Sequence, residues 1–195
     1  MTPLEHRTLH EQWNNWMKNF KDTPPWQSIQ PPTASLPHHA GKLRKVIDEL
    51  DVENAARYKP SGSSTYCNIF VSDVLTAMGL QPGHWVTDDG DPAEDGHGWE
   101  LNANRMVRWF RVHGAENGWE ETDRPEACDA AARGHVVVVA WDSQSPGPGH
   151  IAIMLPEGSI AQAGRKNFVG GTIREGFGTK TPRFFVQLHG GSHNA

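Results

Sequence analysis

Apolar positions recur along this chain with two different periods, and the change from one to the other divides it. Leu9, Trp13, Trp16, Met17 and Phe20 fall at helical spacing, which predicts an amphipathic helix with an aromatic face over residues 4–20, packed on the protein body. Leu43, Val46, Ile47 and Leu50 predict a second helix over about 41–57, and Ala103, Met106, Val107 and Phe110 predict another over 100–113. Between them, Ile69, Phe70, Val74, Leu75 and Met78 predict a strongly apolar helix. The loop and capping residue types of Ser61-Gly62-Ser63-Ser64-Thr65 precede it and Gly79 ends it. Cys67 then falls in its first turn.

Downstream the pattern changes. His135 through Trp141 is a nearly continuous apolar run, as expected of a central strand covered on both faces. Gly149 to Met154 and Ser159 to Gly164 flank the turn Pro156-Glu157-Gly158, which predicts two adjacent antiparallel strands. Further strands are expected near 171–174 and 183–188, and a short helix over 125–133. Helices followed by an antiparallel sheet define an α+β class. The prolines of 22–38 predict an extended connector. The expected organisation is an N-terminal helical extension with a Pro-rich connector over 1–55, a core over 56–189 and a flexible tail over 190–195.

Composition narrows the function classes. At 195 residues, 36% hydrophobic and 21% charged, the chain suits one packed core. A formal net charge of −5 without any basic run argues against nucleic-acid binding. No apolar stretch is long enough for a membrane span, and Met1-Thr2-Pro3-Leu4-Glu5-His6 does not read as a signal peptide, so synthesis in the cytoplasm is expected. Cys67 and Cys128 are the two cysteines. Cys128 reads as a free structural thiol, because a disulfide between the two would consume the candidate nucleophile.

The candidate chemistry begins at Cys67. A helix start offers unpaired N–H groups and the positive end of the helix dipole, which favour a nucleophilic thiolate. His150, opening a short apolar strand, is the expected proton carrier, and Gln162 on the next strand is expected to orient its ring, with Glu157 and Asn167 as competitors. The loop 81–99 carries acids, glycines and aromatics. Asp89, Asp91 and Ala93 break a calcium-loop pattern, and His84 and His97 lack zinc-ligand spacing, so no metal or other cofactor is expected. The loop is expected instead to wall a substrate cleft with Trp85 or Trp99.

Three blocks, Thr65-Tyr66-Cys67-Asn68-Ile69-Phe70-Val71, Gly149-His150-Ile151-Ala152-Ile153 and Gly158-Ser159-Ile160-Ala161-Gln162-Ala163, resemble in order the NlpC-type and CHAP-type papain-like cell-wall hydrolases. The likeness spans roughly residues 56 to 188. It implies a papain-like core with the nucleophile at a helix start packed on an antiparallel sheet, and it places Cys67, His150 and Gln162 at the catalytic positions. Tyr58, in Arg57-Tyr58-Lys59-Pro60, is similar to a family tyrosine upstream of the nucleophile, which implies a contribution to the oxyanion site beside the Cys67 N–H. Many relatives read Asp-Cys-Ser-Gly where this chain reads Tyr66-Cys67-Asn68-Ile69, a departure that bears on substrate preference.

The resemblance implies a peptidoglycan-degrading cysteine peptidase or amidase cutting an amide bond of the stem peptide. It would act in the periplasm or cell wall of a target bacterium after delivery, as a type VI secretion effector toxin or a phage endolysin. An immunity protein or a secretion-machine component is then an expected partner. Two other readings stay open: a deamidase, transglutaminase or acyltransferase acting on a protein, and a non-enzymatic wall-binding module in which Cys67 is merely buried.

Overall fold

The computed structural model describes residues 10–18, 43–81, 83–143 and 147–188. The expected connector 22–38, the tail 190–195 and both ends of the first expected helix lie outside these residues. Helix α1 covers 10–18, with Trp13 and Met17 buried and Trp16 half-buried against the core. Helix α2 is Leu43–Leu50. It is shorter than the spacing predicts, because Asp51 turns to a left-handed backbone (φ 47°) and the chain continues as a turn and the single 3-10 turn Ala56–Tyr58.

Helix α3, Cys67–Ala77, is buried on every side: of its eleven residues Thr76 alone is exposed. An all-round apolar helix belongs in the middle of a fold. Arg57 and Tyr58 fasten it from outside. The Arg57 guanidinium grips the buried Asp73 carboxylate through Nε at 2.6 Å and Nη2 at 3.0 Å, and the Tyr58 hydroxyl donates to the same group at 2.7 Å.

After α3 comes a two-stranded hairpin of β1, Trp85–Val86, and β2, Trp99–Glu100. The helix expected over 100–113 therefore starts later, as α4, Ala103–Val112, where the Asn102 side chain caps the Arg105 N–H. Strand β3, Trp119–Thr122, is one that the apolar pattern does not predict, and α5, Arg124–Ala132, follows it. The remaining elements are β4, Val137–Trp141; β5, His150–Met154; β6, Ile160–Gln162; β7, Phe168–Gly171; α6, Ile173–Phe177; and β8, Arg183–Gln187. Where a strand is expected near 171–174, β7 stops at Gly171 and the reciprocal capping box of Thr172 and Glu175 opens α6 instead.

Six strands form one antiparallel sheet in the order β3-β8-β4-β5-β6-β7. Its two faces divide by parity. Val138, Ala140, Ile151 and Ile153 join the core shared with α3 and α4, whereas Val137, Val139, Ala152 and Met154 pack with residues of α5 and α6. Both faces of β4 and β5 are thus dry, and each large apolar side chain so buried contributes about 1.5–3 kcal/mol. The N-terminal end of α3 meets this scaffold where β5 begins.

Candidate active site

Cys67 is the first residue of α3 and is 4% exposed. The N-cap position is Tyr66, whose side chain makes no capping bond, so the run 61–65 leads into the helix without capping it. Its first intrahelical bond runs from the Phe70 N–H to the Tyr66 carbonyl at 3.0 Å. The Cys67 N–H lies ahead of that bond and has no helical acceptor, which leaves it available to a developing oxyanion.

His150 opens β5, as its place before the apolar run predicts. The register Ile153↔Ala161 carries Gln162 to the same face as His150, one step along the diagonal. The Gln162 Oε1 lies 2.6 Å from His150 Nε2. Which end of the amide faces the ring is set by its other partner: Gln162 Nε2 donates to the Lys166 carbonyl at 3.0 Å, a bond only the amino end can make. Gln162 therefore accepts, His150 donates from Nε2, and Nδ1 is left to face Cys67.

The two groups titrate together. Burial alone would raise the Cys67 thiol, but the hydrogen bond and charge of His150, with the N–H groups of Ile151 and Asn68, outweigh it and hold the thiol below its ordinary value. For His150, burial would lower the imidazole, and the bonds and charge of Cys67 together with Gln162 raise it instead. Opposite shifts in two touching groups favour a thiolate–imidazolium pair.

Space around the pair is made by missing side chains. A Cβ at Gly176, inside α6, would come within 2.6 Å of Gln162 Oε1, the atom that accepts from His150. A Cβ at Gly164 would sit 3.2 Å from Gln162 Nε2 and 3.5 Å from His150 Cε1. Asn104 braces the loop before His150, accepting from the Ser143 N–H at 2.8 Å and donating to the Gly147 carbonyl at 2.9 Å. Behind Cys67, the buried Asn68 amide reaches the Leu101 carbonyl at 3.3 Å and lies 3.3 Å from His84, which in turn lies 3.2 Å from Glu100. Sequence reasoning did not single out Gly176, Gly164, Asn68 or Glu100. Thr172-x-x-Glu175 was the available signal for α6, and hence for Gly176.

Cys67, His150 and Gln162 open on a cleft of about 480 Å³, whose walls include Ser64, Asn102, Gly149, Arg165, Lys166 and Glu175. Arg165 donates to the Gly62 and Ser63 carbonyls at 3.0 and 3.3 Å, closing that end of the cleft over the loop leading to Cys67. A second hollow, of about 530 Å³, lies between α2 and α5 and contains no nucleophile.

Three expected site residues lie elsewhere. The Tyr58 hydroxyl is committed to Asp73, and its ring packs edge-on against Phe70, so it is part of the core and not of the oxyanion site. Trp85 and Trp99 belong to the β1–β2 hairpin and do not line the cleft, and Trp99 Nε1 donates to Asp88 at 2.8 Å. That hairpin loop folds onto α4, where Trp109 Nε1 donates to the Gly90 carbonyl at 2.7 Å, which takes it away from the cleft wall. Among the competitors for the orienting role, Glu157 accepts from Ser159, and Asn167 is occupied by the Gly164 N–H and the Val52 and Tyr58 carbonyls.

No model of a known protein family matches this chain, and no curated protein sequence matches it significantly. Among the described residues, no helix is long and apolar enough to cross a membrane.

Proposed function

We propose that this chain is a papain-like thiol hydrolase that cuts an amide bond in the stem peptide of peptidoglycan. The observation that carries the chemistry is the single chain of contacts from Cys67 through His150 to Gln162, in which a helix-start thiol is hydrogen-bonded to an imidazole held by an amide at 2.6 Å. Sγ attacks the substrate carbonyl while the Cys67 N–H stabilises the oxyanion. His150 then gives its proton to the leaving amine, and a water that it activates releases the acyl group. Gln162 keeps the ring in the donating tautomer throughout.

The substrate class follows from the likeness of the three sequence blocks to cell-wall hydrolases, and delivery as an antibacterial effector or a phage lysin follows from the same likeness. The test is digestion of purified sacculi by the wild-type protein and by Cys67→Ala, with mass spectrometry of the soluble products. New stem-peptide termini that appear with the wild type alone support the proposal. Intact sacculi, together with loss of ammonia from a protein substrate, would turn the assignment to a deamidase on the same three residues.

A further inference from the structure

Away from the cleft, His10 of α1, His113 just past α4 and Glu116 in the 3-10 turn Ala115–Asn117 converge. One ligand atom from each lies within 4.8 Å of the other two. The two imidazole centroids are 5.0 Å apart with the planes at 83°. Two imidazoles on one tetrahedral ion, at metal–nitrogen distances of about 2.0–2.1 Å, put their centroids roughly 5 Å apart. Ligand atoms in such a shell stand roughly 3.4 Å from one another, so closing the cluster takes movements of about 1 Å.

The movable members are the right ones. Glu116 is exposed and His10 half-buried, whereas His113 is buried, with the Trp13 ring 4.7 Å away and Gly90 against its own ring. We propose that His10, His113 and Glu116 bind a divalent transition metal of the zinc class, which ties α1 to the C-terminal end of α4. Two imidazoles and one carboxylate suit zinc and its neighbours, and not calcium or magnesium, which require oxygen shells. With three protein ligands, water completes the tetrahedron. His113 and Glu116 are neighbours in the chain but His10 lies far upstream, and for that reason no local spacing of histidines signals the site. The ion adds a directional bond to a helix that also packs Trp13 and Met17 into the core and carries Arg105 and Arg108 over the Trp16 ring at 5.5 and 5.7 Å.

The experiment uses the full chain carrying Cys67→Ala, so that zinc cannot be held by the thiol–imidazole pair, after treatment with chelator. Zn²⁺ is titrated calorimetrically, and thermal unfolding is followed with and without it. One ion is expected to bind and to raise the unfolding midpoint. His10→Ala and Glu116→Gln change surface-accessible groups and should each weaken binding by roughly tenfold or more and remove the thermal shift. Absence of Zn²⁺ binding, or binding and thermal shift unchanged in both variants, would overturn the site and leave the three residues as a packed cluster. Neither readout depends on hydrolytic activity.

Discussion

At Cys67 two opposing effects meet, burial that favours the neutral thiol and His150 that favours the thiolate, and the second prevails. Cys67→Ala should therefore lower sacculus digestion by about four orders of magnitude or more while the far-UV spectrum is unchanged. Gln162→Ala removes orientation but no proton transfer. Its rate should fall roughly ten- to a hundredfold, less than the loss from removing an acid–base residue. A kcat for Gln162→Ala equal to that of the wild type would mean that the amide does not hold the ring. The places of Cys67, His150 and Gln162 in the fold were legible in the sequence, because helix-start position, strand-start position and hairpin register are local properties. Tyr58 was not: only tertiary structure reveals that Asp73, buried on the facing helix, takes its hydroxyl.

Helix α6 sets how closely Gln162 approaches. Gly176→Ala should make α6 locally more helical, since Gly disfavours a helix interior by about 1 kcal/mol relative to Ala. The added methyl would nevertheless meet Gln162 Oε1 and the buried Ile160 Cδ1, each at 2.6 Å, so kcat should fall roughly tenfold or more while the unfolding midpoint falls only modestly. Steady-state kinetics beside a thermal melt decide it, and an unaltered kcat would show that the amide has room to yield. At this scale the apolar pattern located α3, β4 and β5 but missed β3, whose Glu120 and Glu121 interrupt any apolar run, and misread the start of α6. Thr172 and Glu175 define that helix by capping each other, a polar signal that hydrophobic periodicity does not register.

For the whole molecule, the polar tie between the Ala56–Tyr58 turn and α3 runs through the buried Asp73 carboxylate, beside the packing of Tyr58 on Phe70. Asp73→Ala leaves the Arg57 guanidinium without its bidentate partner and the Tyr58 hydroxyl without its acceptor, so it should destabilise the fold by about 3–5 kcal/mol, read from urea unfolding. A loss under about 1 kcal/mol would place the pair among weak surface contacts. The α+β order of elements was legible from the switch in hydrophobic period. The place of the 81–99 loop was not, because it is fixed by Trp109 and Gly90 meeting across distant segments.

The mechanism rests on the thiolate–imidazolium pair, and pH separates its members. His150 holds the Cys67 thiol below its ordinary value and Cys67 with Gln162 holds the His150 imidazole above its own, shifts that both favour the ion pair. Activity should fall on the acid side as Sγ gains a proton and on the alkaline side as His150 loses the one it must donate. The direct measurement is the alkylation rate of Cys67 against pH, resolved by peptide mapping in wild type and His150→Ala, with Cys128 as the reference thiol. Wild-type Cys67 should react well below the usual thiol pKa of about 8.5, and in His150→Ala its profile should move to higher pH while that of Cys128 stays in place. Superimposable Cys67 profiles in the two proteins would contradict the pair and the mechanism built on it.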